Sequence, residues 1–193
     1  MIGLGVTLNP EFIIFTGPMF SGKTTHLIAR IDRYMYQNKR VAAFKPKMDD
    51  RYSVTDIQTH SGASIPAVVV STGKEILQYL LESDDDYDII AVDEAFMIEN
   101  SADALIQLFK LGKTILVSSL EMSASCSHFE EILLMTPWAT HIQKFPAVCA
   151  VCHKDAYYTQ KKVDDSSIIQ VGGADLYEPR CWSCHSYIAD RND

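Results

Sequence analysis

Apolar positions along the chain fall into short blocks separated by amphipathic stretches. Phe12–Phe15 (FIIF) is an apolar run of strand length. A glycine-containing turn follows, then a segment from Thr24 to about Asn38 in which Leu27, Ile28, Ile31 and Tyr34 recur at helical spacing. Val41–Phe44 reads as a second strand, Pro66–Val70 as a third, and Gly73–Leu81 as a helix. Asp88–Val92 (DIIAV) is an apolar strand that runs straight into two carboxylates. Ser101–Phe109 has helical periodicity, with Ser101 in the N-cap position, and Lys113–Ser118 is another buried strand. Strands alternating with helices predict an α/β fold, a parallel sheet with right-handed crossovers and flanking helices. Near-continuous apolar strands fit a sheet covered on both faces. There is no internal repeat and no low-complexity segment.

After about Ala147 the periodicity fades and cysteine pairs, glycines and tyrosines take over. The chain is therefore expected to divide into an α/β domain over residues 11–146 and a small metal-stabilised lobe over 147–188. The 193 residues suit one good-sized domain with such an appendage. No apolar run approaches the ~20 residues that span a bilayer. The first residues carry neither a basic segment nor a long apolar stretch, so no signal peptide is expected and a cytoplasmic location follows. A net charge of −8 opposes broad nucleic-acid binding, which draws on phosphate neutralisation. The acidic run Asp84–Asp86 reads as a solvated loop.

Residues 17–24 read GPMFSGKT, a match to GxxxxGK[ST] placed between a strand and a helix. The backbone of Gly17, Pro18, Met19, Phe20, Ser21 and Gly22 would wrap the phosphates of ATP, with the positive end of the following helix behind it. Lys23 would reach the β- and γ-phosphates, and the Thr24 hydroxyl would ligate Mg²⁺. Asp93, directly after DIIAV, fits the second magnesium contact. Glu94 could accept a proton from an attacking hydroxyl, orient a water for hydrolysis, or be an ordinary solvated residue at a strand end.

Five cysteines are present, four of them in the pairs Cys149/Cys152 and Cys181/Cys184. In a cytoplasmic chain such pairs point to metal rather than to disulfides. Four thiolates suit tetrahedral Zn²⁺, and a complete ligand set leaves no open position, which marks a structural site. The pairs lie about 28 residues apart, longer than the usual spacing. Both also read CxxCH, the c-type haem pattern, through His153 and His185. That pattern belongs to exported proteins and conflicts with a P-loop. Cys126 stands alone and receives no role.

Taken in order, GPMFSGKTT, KMDDRYS at 47–53, DEA at 93–95, AVCAVC at 147–152, VGGADLY at 171–177 and CWSC at 181–184 resemble the type II, cytosolic-type thymidine kinase family from about Glu11 to Tyr187. The resemblance implies that Glu94 is the general base on the 5′-hydroxyl of the nucleoside. It implies that Asp49 and Arg51 lie near the phosphates, Arg51 neutralising charge in the transition state. It implies a lasso loop between the cysteine pairs that holds the base by main-chain bonds near Ile168, Gln170, Val171 and Gly172, with Tyr177 at the substrate. Met19, Met97, Leu120, Ala124 and Phe129 fall at pocket positions. A homotetramer and inhibition by the thymidine triphosphate are further implications, with no nucleic-acid or membrane partner.

Two pocket segments depart from the family pattern. Phe96 and Met97 stand where glutamine and an aromatic are usual, and Ala124 stands where an aromatic packs on the base. Glu121 replaces an aspartate. Phe96 or Met122 could refill the space. Three alternatives follow: a kinase of a 5-modified deoxyuridine, a P-loop ATPase with a nucleic-acid-binding zinc ribbon, and a non-catalytic nucleotide binder.

Overall fold

The computed structural model describes residues 9–49, 55–59, 62–162 and 172–186. Strand β1 (Phe12–Thr16) leads through the glycine turn into helix α1 (Lys23–Tyr36) and then into β2 (Val41–Pro46). A small hairpin follows, β3 (Asp56–Gln58) with β4 (Ser64–Pro66), and then β5 (Val68–Val70) and α2 (Gly73–Glu82). Strand β6 (Ile89–Asp93), α3 (Ser101–Lys110), β7 (Thr114–Ser119), α4 (Glu130–Met135) and β8 (His141–Lys144) complete the main body. Beyond it lie β9 (Ala147–Val148), β10 (Asp155–Ala156), β11 (Tyr158–Lys161) and β12 (Tyr177–Arg180).

Six strands form one parallel sheet in the order β5-β2-β6-β7-β1-β8. Period-2 alternation sorts each strand between two cores. Ile13, Phe15, Ala43, Ile89, Ala91 and Leu116 pack with Leu27, Ile28 and Ile31 of α1 on one face. Phe12, Ile14, Phe44, Ile90, Val92, Ile115 and Val117 pack with residues of α2, α3 and α4 on the other. The expected α/β architecture with flanking helices is the one found.

Several elements depart from the sequence expectation. Ser101 is not the N-cap of α3 but its first helical residue, and the cap position is Asn100 in the left-handed region at φ 56°. The capping oxygens come from another helix instead. Glu131 of α4 accepts the Asn100 N–H at 2.8 Å, the Ala102 N–H at 2.7 Å and the Ser101 hydroxyl at 3.2 Å. The Pro66–Val70 run is split, because Pro66 ends β4 whereas Val68–Val70 joins the main sheet. Helix α4 and the edge strand β8 carry no clear periodicity, and all four residues of β8 are exposed.

Candidate active site

The phosphate loop lies at the carboxyl end of β1, and Asp93 at the carboxyl end of β6. In open parallel sheets ligands gather at this edge. Gly17 adopts φ 137°, and a Cβ there would stand 2.3 Å from the Phe145 carbonyl oxygen, so only glycine fits. Gly22 adopts φ 79° and precedes α1 without any side-chain cap, leaving the first turn of N–H groups directed at the loop. Lys23 is buried, and its ammonium donates to the Pro18 carbonyl at 2.9 Å. The Thr24 hydroxyl donates to both oxygens of Asp93, at 3.2 and 3.3 Å. The two predicted magnesium contacts therefore meet, although 69 positions separate them.

Glu94 is buried and sits in the left-handed region at φ 48°. Its neighbours brace that conformation. The Met97 N–H donates to the Glu94 carbonyl, the Ser101 hydroxyl to the Ala95 carbonyl, and the Phe96 N–H to the Ser119 hydroxyl. A strained, well-held carboxylate at a strand end is the kind of feature that marks functional sites. Beside it, burial and then the charge of Glu94 push the Asp93 carboxyl up to about 7, with Asp49 adding to the repulsion and Lys23 relieving it.

A cavity of about 350 Å³ opens between these residues. Lys23, Thr24, Asp93, Glu94 and Asp49 line it together with Met19, Phe20 and Gly22. Its far wall is the β3 strand with the following Thr59, and Lys45. Sequence reasoning missed that wall. The signal for Lys45 was available: a lysine closing the apolar run VAAFKP, now 5% exposed, with its ammonium 3.3 Å from the Asp56 carbonyl. A buried lysine in a strand rarely serves packing alone.

Met19, Leu120, Phe129 and Tyr177 are buried in one apolar cluster, with Phe20, Met97 and Ala124 packed against it. Phe96 belongs to the same cluster, and its ring lies 4.3 Å from that of Phe129, tilted by 32°. Phe96 thus lies in the same cluster against which the altered positions Met97 and Ala124 pack. Met122 instead forms a β-bridge with His128 in a small loop, half-buried. Glu121 accepts the Thr16 hydroxyl at 3.1 Å and pairs with Lys144. Ser21 and Pro18 stand in the loop as expected, and Gly172 lies against Leu176. Arg51, Ile168, Gln170 and Val171 lie outside the described residues.

The four paired cysteines converge, with their sulfurs all within 4.8 Å of one another. Tetrahedral zinc with Zn–S bonds near ~2.3 Å sets sulfurs about 3.8 Å apart, and Cys152 and Cys181 already stand at 3.5 Å. Cys149 lies at a tight turn in which the Cys149 N–H meets the Lys154 carbonyl and the His153 N–H meets the Cys149 carbonyl. Burial pushes the Cys149 thiol up, but the N–H groups of Cys152, Cys181 and Val151 outweigh it and bring it down to about 6. Contact with Cys181, then burial and the other two sulfurs, pushes Cys184 up to about 12. Four sulfurs so close together cannot all ionise without a counter-charge. A dication among the four would remove that conflict, so the residues fit a metal.

No described helix is long and apolar enough to cross a membrane. The family model described as thymidine kinase matches residues 11–185, which takes in the phosphate loop, Asp93 and Glu94, and all four clustered cysteines. The chain belongs to the thymidine kinase family.

Proposed function

We propose that the protein transfers the γ-phosphate of ATP to the 5′-hydroxyl of thymidine or a related pyrimidine deoxynucleoside. The observation that carries this reading is the single cavity lined by Lys23, Thr24, Asp93 and Glu94. Family membership supports the kinase chemistry.

The loop Gly17–Gly22 would hold the triphosphate through its N–H groups, and Lys23 would neutralise the transferring oxygens. Thr24 and Asp93 would hold Mg²⁺, which would supply positive charge against the charge developing on the phosphates. Glu94 would take the proton of the incoming hydroxyl. Asp49 faces the same cavity, and Arg51 is proposed to add positive charge from the segment that follows it. The nucleoside would lie against Met19, Met97, Leu120, Ala124, Phe129 and Tyr177, with the base read by backbone groups near Ile168, Gln170, Val171 and Gly172. Most of the rate gain would come from positioning and charge neutralisation.

Cys149, Cys152, Cys181 and Cys184 would hold a structural Zn²⁺ at the base of a lobe spanning 147–188, appended to the nucleotide-binding domain over 11–146. A cytoplasmic homotetramer without nucleic-acid or membrane partners completes the proposal. The Phe96–Phe129 ring pair, in the cluster against which Ala124 packs, favours a second reading at the level of the base: a redistributed pocket that prefers a 5-modified deoxyuridine.

Glu94→Gln tests the catalytic assignment. Loss of a positioned general base costs ~10²–10⁴-fold in turnover, with ATP binding retained. Unchanged turnover removes Glu94 from the mechanism.

A further inference from the structure

Thr159 lies at the meeting point of the phosphate loop and the cysteine-bearing lobe. It belongs to β11 and is 5% exposed. Its hydroxyl oxygen accepts the Met19 N–H at 3.0 Å, a contact across 140 positions of sequence. Its carbonyl lies 3.0 Å from Nε2 of His185. A carbonyl can only accept, so His185 carries its proton on Nε2 and donates it.

His185 is fully buried and directly follows Cys184. Its own N–H donates to the Cys181 carbonyl, and the Arg180 guanidinium donates to the Cys184 carbonyl at 2.9 Å. The Tyr158 ring packs edge-on against both Trp182 and His185, at 5.8 and 5.9 Å between centroids. A short path of buried hydrogen bonds thus runs from the four-sulfur cluster through His185 and Thr159 to the amide of Met19.

Met19 is the third residue of the phosphate loop. Its N–H points at Thr159 and so is not one of the groups aimed at a phosphate. The bond sets the shape of the turn rather than its charge, and the amides that follow inherit their direction from it. A buried amide deprived of its acceptor is strongly disfavoured, so the loop must move if Thr159 moves.

We infer that Thr159 is a positioning residue that couples the metal state of the four-cysteine centre to the conformation of the phosphate loop, so that metal loss weakens nucleotide binding. This rests on the nucleotide-binding function proposed above. It differs from a purely local role for the metal, in which the sulfurs would brace only their own lobe. The two sites would share a coupling free energy and be reciprocal: a bound nucleotide would also slow metal loss.

The test titrates ADP with Mg²⁺ into zinc-loaded wild type, Thr159→Val and Thr159→Ser, with metal content measured in each. Valine keeps the shape of threonine and removes the acceptor, whereas serine keeps the oxygen. Thr159→Val is expected to bind ADP ~10-fold more weakly at full metal content, with serine within about 2-fold of wild type, a loss in the usual range for coupled sites. Chelation should weaken wild type by a similar factor and add less than ~3-fold to Thr159→Val, because the path is already cut. Equal ADP affinity in wild type and Thr159→Val overturns the inference, as does chelation acting on both by the same factor. If the valine variant does not fold, amide exchange in wild type decides. The Met19 N–H should be protected with metal and exposed after chelation, and unchanged protection sinks the coupling. Failure of wild type itself to bind ADP would instead remove the nucleotide-binding function.

Discussion

At the scale of single residues, Asp93 carries an electrostatic cost that a bound cation would relieve. It is buried, Thr24 donates a hydrogen bond to it, and Glu94 and Asp49 repel its charge. An unfolded aspartate ionises near pH ~4, whereas the folded one holds its proton up to about 7. The folded state therefore binds more protons across that interval. Its stability falls as pH rises from about 4 to about 7, and the loss is complete above. Asp93→Asn does not titrate. In magnesium-free buffer its Tm should exceed that of wild type by a margin that grows from about pH 5 to pH 8, as read by calorimetry. A margin independent of pH would contradict the assignment. The residues of this site were largely legible in the chain. Lys23, Thr24, Asp93 and Glu94 stand at fixed places relative to apolar strands, and the parallel sheet brings those strand ends together. Thr159 was not legible, and Lys45 was legible only as a charge closing an apolar strand. Their roles depend on which long-range partners they meet, Asp56 for one and Met19 and His185 for the other, and no local pattern encodes such contacts.

At the scale of elements, the lobe beyond β8 is built from two separate two-stranded sheets, β9 with β10 and β11 with β12. Isolated two-stranded hairpins are marginal in water. The apolar core beneath them consists of Ala147, Cys149 and Ala156 with the other three cysteines packed on it. Tyr177 ties β12 to the main cluster, but so small a core gives β9 and β10 little support of their own, and the metal is expected to supply the missing stability. Cys181→Ala should lower bound zinc from one ion per chain and weaken nucleoside binding at least ~10-fold while the α/β body keeps its helical circular dichroism. Full zinc content in that variant would refute the ligand set. The same scale shows why some elements escaped the sequence. Helix α4 is only six residues long, too short for a moment to emerge, yet its Glu131 caps α3. Strand β8 is recognised by its pairing with β1, not by apolar content. Ser101 offered the residue type of a cap, but its hydroxyl is drawn to Ala95 and Glu131.

At the scale of the whole molecule, one edge of the parallel sheet gathers the chemistry. The phosphate loop leaves β1, the two carboxylates leave β6, and Lys45 and Asp49 follow from β2. The apolar cluster on the α3 and α4 face brings Met19, Phe96, Phe129 and Tyr177 to the same edge. Acceptor and donor would then meet across Glu94, in a cavity of a size suited to small ligands. The most direct measurement supplies the purified protein with Mg²⁺, γ-labelled ATP and a panel of deoxynucleosides, and follows the label. The account predicts label on the 5′-oxygen of thymidine or a 5-modified deoxyuridine, with purine nucleosides unlabelled. Label released only as inorganic phosphate, whatever nucleoside is present, would contradict it.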